Sequence, residues 1–319
     1  MASETIQKLL RSQEDLTTTP STTYRNTSPE MEAEMYKPYP VLDHGFVRLV
    51  DYMGTEASIV QAARVSYGKG TKKVSQDRGL IRYLMRHRHS SPVEMCEAKW
   101  HVKMPIFVAR QWIRHRTASI NEYSARYSIL DREFYIPEPD RLGVQSTTNN
   151  QGTGHTLTAE QNAQVLSLLK RDALQAFDTY GEMIDEHNLA RELARINLPV
   201  SAYTQWYWKI DLHNLLHFMA LRSDHHSQHE IRVYSDVILS QVEKWVPNVI
   251  EAWDDYHPLR NAHTFSGPEM FALMEYLSQQ GHDSGEMRAL MLPILKEGGC
   301  SGREIRAFFE TLGIQRDAS

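Results

Sequence analysis

The chain has 319 residues, of which 41% are hydrophobic and 24% charged, and its formal net charge is −5. This composition gives a globular chain room for a substantial core, as one large domain or two small ones. The net charge argues against a general nucleic-acid binder, which is usually basic overall. It also excludes a disulfide scaffold, since Cys96 and Cys300 are too few and too scattered to frame one.

No apolar run approaches the roughly 20 residues of a membrane span. An N-terminus carrying Glu4, Glu14 and Asp15 makes a poor signal or transit peptide. The expected setting is the reducing cytoplasm. Residues 1–38 read as a flexible arm, most clearly in the polar run Leu16-Thr-Thr-Thr-Pro-Ser-Thr-Thr. Gly45 to Tyr52 has strand character. Ala57 to Val65 and Asp77 to His87 read as helices, the second with Leu80, Ile81, Leu84 and Met85 on one face. Ala98 to Met104 alternates as a strand that buries Trp100 and Val102. Pro105 then opens a short helix, and Arg132 to Ile136 reads as a strand closed by Pro137.

Residues 145–157 read as an insertion, mobile between Gln145 and Gly154. Thr158-x-x-Gln161 is a capping box for a long helix striped by Val165, Leu169, Ala173, Phe177, Tyr180 and Ile184. Arg191 to Trp208 and Asp211 to Asp224 read as further helices, with Pro199 kinking or ending the first. Ile231, Tyr234, Ile238, Val242, Trp245 and Val249 stripe another. After His257-Pro258, three short helices are expected over 268–279, 286–296 and 301–312, the last with a Ser301-x-x-Glu304 capping box. The sum is an α+β chain. Its small, mostly antiparallel sheet takes residues 45–53, 98–104 and 132–136 and is flanked by long helices.

The densest chemistry lies between Gln111 and Tyr127. Arg114, His115, Arg116 and Arg126 stand there beside Gln111, Asn121, Glu122 and Ser124, with a single acid among them. So many cations beside one acid are costly unless an anion neutralises them. Guanidinium forks suit phosphate oxygens, and Asn, Glu and Ser suit the polar edges of a base or sugar, so the inference is a nucleotide-type ligand. A solvated basic face is the plainer alternative, but alternation with Trp112, Ile113, Ala118 and Ile120 starts the run inside the fold. A second cluster, Asp211 to Asp224, places His213, His217 and Asp224 on one helix face with Arg222 near its end. His225, His226 and His229 do not make a metal motif of the H-E-x-x-H kind, and no metal is expected. Cys96, beside Glu94 and Glu97, reads as a structural thiol rather than an activated nucleophile. A glycine-rich dinucleotide loop is missing.

Arg114-His-Arg116, seven residues and then Ser124 resembles the RHR-x7-S signature of flavin-dependent thymidylate synthases. Phe107-Val-Ala-Arg-Gln-Trp112 before it, Asn121-Glu-Tyr-Ser-Ala-Arg-Tyr-Ser128 after it, and Leu221-Arg222 with His226-Ser-Gln228-x-Glu-Ile231 extend the likeness. It covers roughly Gly45 to Trp253. It implies an arm at 1–38, the family domain at 39–256 and an appended helical extension at 257–319. It also implies reductive methylation of dUMP to dTMP, with methylenetetrahydrofolate as carbon donor, FAD as hydride carrier and NADPH as reductant, in homotetramers whose sites are shared between subunits. The resemblance assigns dUMP to Gln111, Trp112, Ile113, Arg114, Glu122, Tyr123, Ser124, Ala125, Arg126, Arg195 and Arg222. It assigns FAD to Ser66, Ser91, Glu94, Arg114, His115, Arg116, Asn121, Glu122, Asp211, Leu212, His213, His217, His226 and Gln228. His89 matches a histidine placed near flavin and folate. Arg222, Ser124 and His89 are the candidate catalytic residues, with Arg222 as the cation beside the uracil N3. Asp211, His213 and His217 stand where relatives carry Asn or Arg, and Ser91 where Thr is common. The alternative reading is a helical nucleic-acid-binding protein using the Arg/His cluster.

Overall fold

The computed structural model describes residues 22–65, 77–147, 152–258, 260, 275–276, 284–297, 300 and 302–312. Contacts divide the chain into two compact units, Met1–Ala262 and His263–Ser319. The first is built on an antiparallel sheet. Its strands are β1 (Pro38–Val41), β2 (Gly45–Met53), β3 (Glu97–Pro105), β4 (Ser119–Glu122) and β7 (Tyr203–Asp211), in the order β1-β2-β3-β7-β4. A separate hairpin, β5 (Gly143–Gln145) with β6 (Thr153–Thr156), occupies the expected insertion.

Alternation along the strands sorts the sheet into two faces. Val47, Leu49, Trp100, Val102, Trp206, Trp208 and Ile210 enter the core. Five helices close over or extend from that face: α2 (Glu56–Val65), α3 (Asp77–Arg86), α7 (Leu212–Arg222), α8 (His229–Trp245) and α9 (Pro247–Tyr256). Two buried polar groups there are hydrogen-bonded across elements: the Trp100 indole N–H donates to Gln241 Oε1 at 2.8 Å, and the Tyr234 hydroxyl to the Lys103 carbonyl at 2.9 Å. The other face carries a buried polar row. Arg48 Nη2 donates to His101 Nδ1 at 2.6 Å and His101 Nε2 faces Gln205 Oε1 at 2.8 Å, so the imidazole is the neutral Nε2–H tautomer. Burial, followed by the Arg48 cation, pushes the His101 titration down to about 4.

Five expectations are corrected. Arg191 to Trp208 is not a helix. Only α6 (Arg191–Ala194) and a 3-10 turn (Arg195–Asn197) form before Pro199, after which the aromatic, alternating Tyr203–Asp211 enters the sheet as β7. Arg132 to Ile136 makes one bridge, Phe134 to Ala202, rather than a strand, because Val200 and Ser201 turn the chain just before Ala202 and Tyr203 after it already pairs with Pro105 in β3. Pro105 is extended (φ −61°, ψ 146°) and caps α4 (Ile106–Trp112) from outside instead of opening it. The arm is docked from Ser28 onward: α1 (Pro29–Glu32) buries Met31, and the Ser28 N–H donates to the Tyr52 hydroxyl at 2.9 Å. The stripe expected from Ile231 to Val249 is two helices, broken at Val246 where Pro247 starts α9. The long helix α5 (Ala159–Asp185) has its capping box in place.

In the second unit, α10 (Ser284–Glu297) and α11 (Gly302–Thr311) bury Met287, Ile305 and Phe309 between them. The helix expected over 268–279 and the Ser301 cap lie outside the described residues apart from 275–276.

Gly45 starts β2 where the chain has no room for a side chain. A Cβ there would collide with the Tyr234 hydroxyl and lie 2.7 Å from the carbonyls of Lys103 and Val41. Gly45→Ala is therefore expected to destabilise the fold by about 1–3 kcal/mol, measured as a lowered denaturation midpoint with an unchanged m-value.

Candidate active site

Two segments distant in sequence meet beside β7. Helix α4 ends at Trp112, and the RHR residues follow it in a turn that leads into the edge strand β4. Trp112 anchors this turn: it is fully buried and packs on Trp206, Trp208, Phe218 and Tyr234. From the other direction β7 runs to Asp211, which caps α7 and so aims that helix at the RHR turn. Asp211 Oδ1 accepts the Asn214 N–H at 3.0 Å and Oδ2 accepts the Asn214 amide at 2.7 Å. The Leu212 N–H donates to the Cys96 carbonyl at 2.8 Å, fixing the helix start against β3.

The two segments join at one hydrogen bond. Arg222 Nε donates to His115 Nε2 at 3.0 Å, and the His115 ring lies 5.0 Å from Phe218 and 5.9 Å from His217. Accepting at Nε2 requires an imidazole whose proton sits on Nδ1. The surroundings hold it that way. Burial first, then the Arg222 and His217 charges, push the His115 titration down to about 4. Burial also lowers the Arg222 titration. A second bridge links the same segments, from the Gln111 amide to Gln228 Oε1. Arg114, Arg116 and Arg126 are exposed and Arg195 and Arg222 half-buried, and among the described residues none of the five forms an ion pair with a carboxylate.

Other assigned residues are placed as follows. Glu122 ends β4, and its Oε1 accepts from the Thr204 hydroxyl at 2.8 Å. Tyr123 follows, its N–H donating to the Gln205 carbonyl at 2.8 Å and its hydroxyl to the Ile129 carbonyl at 3.1 Å. Ser124 Oγ accepts the Arg126 N–H at 3.3 Å. Asn121 and Ile113 are exposed, and Ala125 is buried. His213 and His217 point outward from α7. His89 ends a ring cluster with Tyr83 and His87, after Arg88 turns the chain with a φ of 56°. Ser91 and Glu94 lie just beyond it, before β3. Among the described residues no hydrogen bond joins His89, Ser91 or Arg195 to the His115–Arg222 pair. Ser66 lies outside the described residues.

Trp112 and Leu212 can meet a ligand through their backbone only. Both side chains are fully buried in the core. Cys96 is also fully buried. Its thiol is pushed up to about 12 by burial first and then by Glu56, not by its sequence neighbours Glu94 and Glu97. Asp224, His225 and His226 bring one ligand-type atom each within 4.8 Å. Their geometry is that of a capped turn, since Asp224 Oδ1 accepts both the His226 N–H at 2.8 Å and its Nδ1 at 2.9 Å. Sequence reasoning overlooked Thr204 and Gln205, whose place in a strand was hidden by the helical reading of that segment.

Residues 48–248 match the family model described as thymidylate synthase complementing protein. The flavin-dependent thymidylate synthase of Ruegeria pomeroyi is 62% identical over 237 residues, 73% of this chain and 78% of the relative. That of Gluconobacter oxydans is 60% identical over 239 residues, 74% and 79% of the two chains. Among solved structures, the UMP/dUMP methylase PolB from Streptomyces cacaoi, bound with 5-Br dUMP, is 34% identical. It has a TM-score of 0.61, covering 67% of this chain and 97% of that one.

The depressed titrations of His101 and His115 make the fold acid-sensitive. Both groups fall from 6.5 to about 4 on folding, so between those values the unfolded chain binds more protons than the folded one. The favourable neutral contacts are in place above pH 6.5 and are lost as pH falls through about 4. Thermal melts taken across that window should show Tm falling with pH, and His115→Gln should flatten the dependence.

Proposed function

As a member of the flavin-dependent thymidylate synthase family, this chain methylates dUMP, and we propose that it does so with methylenetetrahydrofolate as carbon donor, FAD as cofactor and NADPH as reductant. The observation that supports the assignment of residues is that Arg222 is tied to the RHR turn through His115, while Arg114, Arg116, Arg126, Arg195 and Arg222 all lack carboxylate partners among the described residues. A nucleotide phosphate supplies the missing charge, held by guanidinium forks. In this reading Gln111, Arg114, Glu122, Ser124, Ala125, Arg126, Arg195 and Arg222 hold dUMP.

The donor set also fits FAD. A dinucleotide without a glycine-rich loop must be held by side chains, and Arg114, Arg116, neutral His115, His213, His217, His226, Asn121 and Gln228 offer guanidinium and imidazole groups for its diphosphate and rings. Ser66, Ser91, Glu94, Glu122, Asp211 and the Leu212 backbone complete the assigned set. Bound flavin supplies the hydride. The protein's task is to activate carbon. Uracil C5 is a poor nucleophile, and a cation beside N3 and O4 stabilises negative charge there and pushes electron density onto C5. Arg222 takes that role. Its bond to His115 leaves Nη1 and Nη2 to face the base, and its half-buried position weakens the screening by water. Ser124 serves as a phosphate or base ligand, and His89 stands near flavin and folate. With its thiol raised to about 12, Cys96 is no nucleophile.

We place the active form in a homotetramer with sites shared between subunits. Tyr127, Ile129, Leu193, Ile196 and Val200 are large apolar side chains left exposed next to Arg126 and Arg195, Ile196 at 72%. They suit burial against another copy, which would bring the separated His89 and Arg195 segments to a common site. Both cysteines are free, and among the described residues no helix is long and apolar enough to cross a membrane. We assign the chain to the cytoplasm.

With C5-deuterated dUMP, the holoenzyme should release label and form a methylated product only when methylenetetrahydrofolate, FAD and NADPH are all supplied. Arg222→Ala should keep its flavin absorbance and lose label release by on the order of 10²- to 10³-fold. Cys96→Ala should retain turnover. Full activity in Arg222→Ala overturns the role given to that cation.

A further inference from the structure

The core face of β7 reads Thr204, Trp206, Trp208, Ile210, and only the first is polar. Thr204 is 5% exposed, at a position where alternation calls for an apolar side chain. A buried hydroxyl is costly unless it is hydrogen-bonded, and valine would fill the same volume without that cost. The hydroxyl's partner explains its presence: Oγ1 donates to Glu122 Oε1 at 2.8 Å.

Glu122 is the last residue of a four-residue edge strand, paired in register only with Trp206. Beyond it the ladder stops, and the Gln205 carbonyl takes over by accepting the Tyr123 N–H. An exposed glutamate at the end of an edge strand has free rotamers, each costing entropy when a ligand selects one. The Thr204 bond removes that freedom from within the core. It occupies one carboxylate oxygen and leaves Oε2 to accept from a donor.

We propose that Thr204 is a positioning residue of the nucleotide site, holding the Glu122 carboxylate in the orientation that accepts a hydroxyl or N–H of dUMP. This rests on the reading of Glu122 as a nucleotide ligand. Thr204 touches no substrate and acts through Glu122 alone. Its effect therefore falls on dUMP affinity rather than on the chemical step.

The test uses the full-length holoenzyme and compares wild type, Thr204→Val, Thr204→Ser and Glu122→Ala by dUMP titration, steady-state kinetics, flavin content and melting. Thr204→Val should raise the dUMP Kd and KM on the order of tenfold, with kcat at saturating dUMP and Tm close to wild type. Thr204→Ser, which keeps the hydroxyl, should restore affinity. If Glu122→Ala weakens dUMP binding while Thr204→Val leaves it unchanged, the positioning role is overturned and the site reading stands. It is equally overturned if Thr204→Val loses affinity only in step with Tm, the mark of a packing role. If Glu122→Ala binds dUMP as tightly as wild type, the reading of Glu122 falls and this inference with it.

Discussion

The pairing of β3 with β7 is the constraint on which the rest of the first unit depends. Glu97 through Pro105 pair with Asp211 back through Tyr203 along the full length of both strands. The pairing joins parts of the chain about a hundred residues apart, and it orients both halves of the site at once. At one end β3 passes into α4 and the RHR turn. At the other, β7 passes into α7 and delivers Arg222. A one-residue slip would exchange the two faces of β7, bringing Tyr207 and Gln205 into the core and expelling Trp206 and Trp208. The indoles on the inner face make that slip prohibitive. The same packing that stabilises the sheet therefore fixes the distance between Arg222 and His115.

The site built on this frame runs against what favours a stable monomer. Arg222 is half-buried beside a histidine rather than a carboxylate, and the arginines around it are also left without acids. Folding thus half-buries the Arg222 cation and offsets that cost with hydrophobic burial elsewhere. An anionic nucleotide finds the opposing charge already assembled and partly desolvated, where electrostatic interaction is strongest. His115 is suited to this arrangement because it stays neutral. It gives Arg222 an acceptor without neutralising the cation.

Much of this was legible in the sequence, unevenly and for physical reasons. β2, β3, α2, α3 and the capped start of α5 followed from alternation, helical spacing and Thr158–Gln161, all local signals. β7 did not. Its run of Trp and Tyr after an Arg-Glu-Leu-Ala helix start reads as a continued helix, and only pairing with distant β3 decides otherwise. Arg132 to Ile136 has strand composition but lies against a turn, which no local pattern reveals. The basic cluster was readable from residue types. The Arg222–His115 bond was not, because it spans 107 positions. Nor was Thr204, whose meaning appears only beside Glu122. Trp112 and Leu212 stand within the motifs yet turn inward, a reminder that motif membership does not give side-chain direction.

All six tryptophans of the chain lie in the core, Trp100, Trp112, Trp206, Trp208, Trp245 and Trp253, none more than 2% exposed. The intrinsic fluorescence of the first unit is therefore a property of its interior alone. Native emission should be blue-shifted, and no surface indole contributes a background that hides core opening. Trp112 sits two residues from Arg114, and its ring faces Trp206, Trp208 and Phe218. A chromophore bound at the arginine cluster would lie within energy-transfer range of that aromatic group. The packing that holds the sheet together thus also equips the protein with an optical reporter at its own site.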